Sequence, residues 1–352
     1  MSSLKVGVIG AGAVAPSHCI GVRKHPQAEL LAIADVNSER AASLAEEYKI
    51  PKTYSGFEEI LSDGDIDAVS IALPNFLHSK VAIAALESGK HVQLDKPFAM
   101  SYGEALRIVD TAKAAEKLLA VGMNQRFTTS SQTIRSVVQK GGLGETYAAR
   151  ALWCRRTGAP KFGTWFTNKK KSGGGSLLDI GVHMLDLCLY LIDNFKPLTV
   201  SGSTYTKFGN RGIGEGNWGK SDVEAKIFDV DDSAFALIKL DGGVTVNLES
   251  SWVRHQSEQS ELNVYLFGTE AGAEVSPAKL CRFGRDEGEY EVVDIANAKL
   301  RYPHCNRTVN WIDAILGNDE LECKPEQSLV VQRILDAIYE SSASGREVFL
   351  AE

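Results

Sequence analysis

The sequence predicts an α/β nucleotide-binding domain over residues 1–124, followed by an α+β domain over 125–352 dominated by one large, mainly antiparallel sheet. Three observations carry this prediction. The chain has 352 residues, more than one hydrophobic core ordinarily supports. Up to Asn124, short apolar runs alternate with helical patterns, the mark of parallel βαβ units with right-handed crossovers. Further on, period-two segments follow one another across turns such as Asp229-Val-Asp-Asp232 and Asp241-Gly-Gly243, the mark of antiparallel pairing.

In order, Leu4–Ile9 is a buried strand that runs into Gly10-Ala-Gly-Ala-Val-Ala15 and a helix to about Lys24. The strand Glu29–Ala34 ends at Asp35, and Ser38 caps a helix to Tyr48. Ala68–Leu73 is a strand, followed by Pro74-Asn75 and a helix through Glu87. Gly89–Leu94 is a strand with Asp95-Lys96-Pro97 at its end, then a helix over about 101–117 and the strand 118–122. The second domain opens with a helix over about 130–139 and a long strand over 145–155. An irregular stretch rich in Gly, Trp and Lys (157–175) leads to a strongly apolar helix. Strand candidates follow at 198–206, 223–230, 233–240, 243–252, 261–268 and 289–295. Helices near 308–316 and 326–342 close the chain, the terminal one free to pack back on the first domain.

Composition narrows the function. A formal charge of -7 argues against nucleic acid or an anionic membrane surface as partner. No run of 18 apolar residues occurs, and the chain begins almost at once with a strand rather than a leader. Six cysteines without a C-x-x-C pair read as reduced thiols in the cytoplasm and offer no metal framework.

The first turn is the most specific local signal. G-x-G-x-x-A follows a strand and opens a helix within a βαβ unit. Gly10 makes the tight turn, Gly12 lets the backbone reach a pyrophosphate, and Ala15 takes the helix-packing place. The helix start, with Ala13 and Val14, offers amides and a positive dipole end to phosphate. Asp35, at the end of the second strand, suits the ribose hydroxyls and repels a 2′-phosphate, so NAD is favoured over NADP. A glycine turn without a ligand is the plainer alternative. Lys96 stands at the C-terminal end of a parallel strand, the edge where open α/β sheets bind ligands, although Lys-Pro after a strand is also an ordinary turn.

The segment Gly173-Gly-Gly-Ser-Leu-Leu-Asp-Ile-Gly-Val-His183 begins the apolar helix. Leu178, Val182, Leu185, Leu189 and Ile192 recur at helical spacing. Asp179, His183, Asp186 and Tyr190 form one polar stripe. Two readings stand side by side. Ser176 and Asp179 fit a capping box, with His183 a satisfied half-buried ring. Alternatively, Asp179 tunes His183 as an acid–base group, and the glycines admit a ligand or another backbone.

Together, Gly10-Ala-Gly12, Leu73-Pro-Asn75 with His78, Asp95-Lys96-Pro97 and Gly173–His183 resemble the glucose–fructose oxidoreductase / inositol dehydrogenase / MocA (Gfo/Idh/MocA) family over nearly the whole chain. The resemblance implies a Rossmann domain beside an open-faced sheet that pairs with another subunit, as a homodimer or homotetramer. Its catalytic group maps to Lys96, Asp179 and His183, and Leu73, Pro74, Asn75, His78, Asp95 and Lys96 join the cofactor-binding residues. Asp95 stands where the family usually has Glu. The implied activity is hydride transfer between NAD and a secondary alcohol or ketone of a small polyhydroxylated substrate, whether sugar, glycoside or cyclitol. Two alternatives remain: a cofactor-retaining glycosidase or epimerase, and a non-catalytic dinucleotide-binding regulator. Arg155 or Arg156, Trp165, Tyr302 and His304 are further candidates for the substrate side, against a solvated arginine face.

Overall fold

The computed structural model describes residues 3–219, 227–284, 288–295 and 306–350. The chain divides into two compact units, Met1–Gly122 with Asn306–Leu329, and Met123–Cys305 with Val330–Glu352.

The first unit contains β1 (Leu4–Ile9), α1 (Ala15–Arg23), β2 (Ala28–Ala34), α2 (Ser38–Tyr48), β3 (Lys52–Tyr54), α3 (Phe57–Ser62), β4 (Ala68–Ile71), α4 (Asn75–Glu87), β5 (His91–Leu94), α5 (Tyr102–Ala114) and β6 (Leu119–Val121). The strands are parallel in the order β3-β2-β1-β4-β5-β6. This order reverses between β1 and β4, and the crevice at such a reversal is where doubly wound sheets take nucleotides. The edge strand β3 and helix α3 are absent from the sequence reading: Lys-Thr-Tyr is too short to show a period. Asn37, not Ser38, caps α2, its side chain accepting from the Arg40 amide at 2.9 Å.

The second unit contains α6 (Thr129–Gln139), β7 (Thr146–Arg155), α7 (Lys169–Ser172), α8 (Val182–Ile192), β8 (Pro197–Tyr205), β9 (Ser233–Leu240), β10 (Thr245–Ser251), β11 (Ser260–Gly268), β12 (Gly272–Glu274), β13 (Lys279–Phe283) and β14 (Tyr290–Asp294). With β15 (Val348–Phe349) they form a nine-stranded sheet ordered β14-β13-β12-β11-β7-β10-β9-β8-β15. The pairings are antiparallel except that of β7 with β10, which is parallel. Of the predicted strand 223–230, residues 223–226 lie outside the described residues and 227–230 are not a strand.

Two closing helices complete the chain, α9 (Arg307–Ile315) and α10 (Pro325–Ser344). The first unit takes in α9 and the first turn of the terminal helix, Pro325–Leu329; within it Trp311 and Ile312 are fully buried in one cluster with Val8, Cys19 and Val22. The helical stretch 169–192 is long and apolar enough to cross a membrane, yet it is almost wholly buried within the protein, as a core helix is.

Candidate active site

In the first unit the glycine turn follows β1. Gly10 has φ +104°, and a Cβ there would stand 2.3 Å from the Ala72 carbonyl oxygen, so only glycine lets the turns after β1 and β4 approach. Gly12 differs: a Cβ there would meet nothing within 4 Å. Among the described residues nothing requires that glycine, and the open space suits a pyrophosphate. Ala15 is fully buried in the core, where the third motif position packs helix on strand. Among the described residues, the amides of Gly12, Ala13 and Val14 meet no protein acceptor. Asp35 accepts from the Ala11 amide at 2.6 Å and the Asn37 amide at 2.7 Å, which ties the end of β2 to the glycine turn. A carboxylate fixed there keeps lone pairs for vicinal ribose hydroxyls. These residues fit an NAD molecule.

Beyond β4 and β5, Leu73, Pro74 and Asn75 lead into α4, and His78 locks their loop. Its Nδ1 lies 2.8 Å from the Pro97 carbonyl oxygen and its Nε2 2.9 Å from that of Leu73, so one buried ring spans the Leu73 and Lys96-Pro97 loops. Asp95 lies 3.3 Å from the Arg307 guanidinium of α9 and accepts from the Lys96 amide at 2.9 Å. Burial alone would push the Asp95 carboxyl up. Arg307 and the nearby His18 outweigh that and hold it well below the usual carboxylate range. Asp in place of Glu is thus a buried anion that fixes the backbone of Lys96. Arg307 is a residue the sequence reading missed, because it lies more than 200 positions from its partner.

In the second unit the acid–base candidates sit on the helical segment that opens with a π-turn, Leu177–Gly181, and continues as α8. Such turns add a residue and gather at functional sites. Gly181 allows it to lie on the sheet: a Cβ there would come 3.0 Å from the Ser250 hydroxyl of β10. Asp179 accepts from the Trp252 indole N–H at 2.9 Å. His183 is buried (7% exposed), its ring centroid 5.9 Å from that of Trp153. Alternation along β7 puts Trp153 and Arg155 on one face. The Arg155 guanidinium lies 4.9 Å from the Trp153 ring centre and donates to the Gly158 carbonyl at 3.2 Å. Burial lowers the Arg155 pKa, opposed by the Asp179 charge.

The polar stripe divides. Asp186 is fully buried and bridged bidentately by Arg126, whose guanidinium also lies 4.8 Å from the Tyr190 ring centre. These two positions hold the helix in place, while Asp179 and His183 keep the company of Trp153, Arg155 and Trp252. The capping box is absent as well. Ser176 donates its hydroxyl to Asp231 at 2.9 Å, and the Asp179 amide donates to the Gly175 carbonyl at 3.0 Å. The glycine run admits another backbone: a Cβ on Gly175 would lie 1.9 Å from the Asp231 carbonyl oxygen, and one on Gly174 2.0 Å from the Tyr339 hydroxyl.

The remaining substrate candidates fall elsewhere. Arg156 is exposed and donates to Gln259 at 2.9 Å and to the Ser257 carbonyl at 3.3 Å, the solvated reading of that residue. Trp165 stacks on Phe166 with centroids 3.7 Å apart, and Phe166 meets Trp218 edge-on at 5.1 Å. The Trp218 indole donates to the same Gly158 carbonyl as Arg155. Tyr302 and His304 lie outside the described residues. Among the described residues no group of acidic, His and Cys side chains has the arrangement of a metal site.

Comparison with known proteins identifies the family and the fold. Residues 4–123 match the oxidoreductase family with an NAD-binding Rossmann fold, and residues 131–274 match the GFO/IDH/MocA C-terminal domain. The chain is 33% identical over 352 residues to D-glucoside 3-dehydrogenase of Escherichia coli (strain K12), spanning 99% of this chain and 98% of that protein. It is 28% identical to levoglucosan dehydrogenase of Pseudarthrobacter phenanthrenivorans, over 77% of this chain and 73% of that one. Among solved structures, an NAD-binding protein from Listeria innocua superposes with a TM-score of 0.80 at 26% identity, covering 99% of this chain and 97% of that chain. A levoglucosan dehydrogenase solved with NADH and levoglucosan has the same fold, with a TM-score of 0.86 at 23% identity over 100% of both chains. The glycine turn with Asp35, the Lys96 loop, the Asp179–His183 helix and the two family matches lead to one assignment: the chain belongs to the Gfo/Idh/MocA family of NAD-dependent oxidoreductases.

Proposed function

We propose that this enzyme oxidises a secondary hydroxyl of a glucoside or closely related sugar, with NAD as hydride acceptor. The observation that carries the reading is the 33% identity to D-glucoside 3-dehydrogenase along the full length of both chains. When bound, NAD supplies the redox chemistry, and the protein supplies binding, orientation and the proton path. Gly10, Gly12, Ala13, Val14 and Asp35 hold the dinucleotide, with Leu73, Pro74, Asn75, His78 and Asp95 shaping the adjoining loops.

His183 takes the hydroxyl proton as hydride leaves the carbon, and returns it in the reverse direction. The Asp179 carboxylate, fixed by the Trp252 indole, favours the imidazolium that forms. Lys96, assigned from its family motif, stabilises negative charge developing on the alcohol oxygen. Arg155, rather than Arg156, is the cation beside Asp179, and we assign it the neighbouring sugar hydroxyls.

Two further assignments belong to this reading. The enzyme works in the cytoplasm, in keeping with the free thiols of Cys19, Cys154, Cys188 and Cys281. It assembles as a homodimer or homotetramer through the open face of the nine-stranded sheet. There Phe235, Leu237 and Phe267 are each 40–41% exposed beside the Arg150–Glu249 ion pair. That face is more apolar than β10 alone suggests, because β9 and β11 supply the large side chains.

A panel of alkyl glucosides, levoglucosan and cyclitols with NAD, read as NADH absorbance, tests the substrate class. Turnover is expected on a glucoside, and His183→Ala should lower it by roughly 10²–10⁴-fold while NAD binding persists. Product formed without net NADH would instead support a cofactor-retaining epimerase or glycosidase. NAD binding with no turnover anywhere on the panel would overturn the glucoside assignment.

A further inference from the structure

Asp231 stands in the turn before β9 and is 5% exposed. Its Oδ1 accepts from the Gly175 amide at 2.7 Å and from the Tyr339 hydroxyl at 2.7 Å. Its Oδ2 accepts from the Ser176 hydroxyl at 2.9 Å and the Leu177 amide at 2.9 Å. Its carbonyl accepts from the Ser176 amide at 2.9 Å. A carboxylate from 54–56 positions away therefore does what a local cap does at most helices, satisfying the orphan donors of the first turn. Gly174 and Gly175 have no side chain because Tyr339 and Asp231 occupy the space.

The next residue reaches the same site from the other side. The Asp232 carbonyl accepts from the Trp252 amide at 2.9 Å and from the Ser251 hydroxyl at 3.3 Å. Trp252 in turn donates its indole N–H to Asp179. Asp231 fixes the helix start two residues before Asp179, and Asp232 fixes the tryptophan that holds the Asp179 carboxylate. Both ends of that hydrogen bond hang on one two-residue turn. Burial and the Asp231 charge raise the Tyr339 pKa well above its usual value, so its hydroxyl remains a donor to the clamp.

We propose that Asp231, supported by Tyr339, is the positioning group of the acid–base helix, setting where Asp179 and His183 present their side chains. This rests on the assignment of those two residues as the acid–base pair. Asp231→Asn places an amide N–H₂ against one of the two donor pairs and lets the helix start relax. A displacement of about 1 Å at reacting groups costs up to about 10²-fold in rate.

Full-length Asp231→Asn and Tyr339→Phe would be compared with wild type and with Val200→Ala, a core truncation in β8, by hydrogen exchange, NAD titration and glucoside turnover. For Asp231→Asn, faster exchange confined to the peptide 173–184 is expected, with kcat lowered about 10–100-fold and KM for NAD changed less than about twofold. Tyr339→Phe removes one donor of several, and should show the same local exchange with a loss of a few-fold. Val200→Ala should melt earlier yet keep its kcat below the melting range. Wild-type exchange in 173–184 for both variants would overturn the proposal, as would loosening spread evenly over the second unit. A kcat that follows Tm alone in all three variants would overturn it too. Were Asp231→Asn unable to fold, Tyr339→Phe decides alone. If wild type turned over no sugar, the substrate reading would fail while the exchange result still judged the clamp.

Discussion

Gly12 and Gly175 lack a side chain for opposite reasons, and substitution separates them. A Cβ at Gly12 finds open space, whereas one at Gly175 meets a backbone carbonyl at 1.9 Å. Gly12→Ala should leave Tm unchanged and weaken NAD binding by about tenfold or more, some 1.4 kcal/mol, as read by fluorescence titration. Gly175→Ala should cost about 1–3 kcal/mol or more through overpacking, seen as a lower Tm, with NAD affinity preserved. The sequence made Gly12 legible because its motif lies within one βαβ unit. It left Gly175 open between ligand and backbone, since Asp231 is 56 positions away and reads locally as a turn acid. Asp179 and His183 stood out as candidates from their spacing on an apolar helix. Their neighbours Arg155 and Trp252 were visible only as residue types, because β-sheet register decides which side chains meet.

At the scale of elements, α8 is held by a buried ion pair and not by apolar packing alone. Arg126 and Asp186 are both fully buried. Arg126→Met should destabilise the fold by about 3–5 kcal/mol, since it strands a carboxylate, whereas the double replacement Arg126→Met with Asp186→Leu should recover much of that loss; urea denaturation measures both. The turn after β5 carries a pH signature. Asp95 has a folded pKa held well below its unfolded value of about 3.9, so the folded state stays ionised where the unfolded chain takes up a proton. Its contribution is present above that unfolded value and is lost as pH falls. His18 and His78, lowered chiefly by burial, act in the same direction below about pH 6.5. Urea melts should therefore show stability declining on acidification, and Asp95→Asn should be weaker at neutral pH but flatter below about pH 4. The element order of the first unit was legible from alternation. β3, β12, β13 and β15 were not: three of them have only two or three residues, too little of a period to register, and β13 carries no buried face to mark one.

For the molecule as a whole, the proposed assembly through the open sheet face can be tested by one charge. Phe235→Glu would set a charge among Leu237 and the neighbouring strand residues, and light scattering at micromolar concentration should show the wild type as an oligomer and this variant as a monomer. A monomeric wild type would reject the assembly assignment. The two-unit plan followed from length and pattern, but the composition of the first unit did not, because α9 joins it after more than 180 intervening residues. That return has a consequence for how the enzyme is made. Trp311 and Ile312 complete the apolar cluster around Val8 and Cys19, and Arg307 supplies the counter-charge to Asp95. A nascent chain on the ribosome therefore has every strand of its parallel sheet long before it has the helix that seals it. The half-built sheet must wait with Val8, Cys19 and Val22 uncovered until the codons for α9 have been read. Early termination anywhere before Asn306 should thus leave a product that binds chaperones or is degraded, even though all of its glycine motif is present.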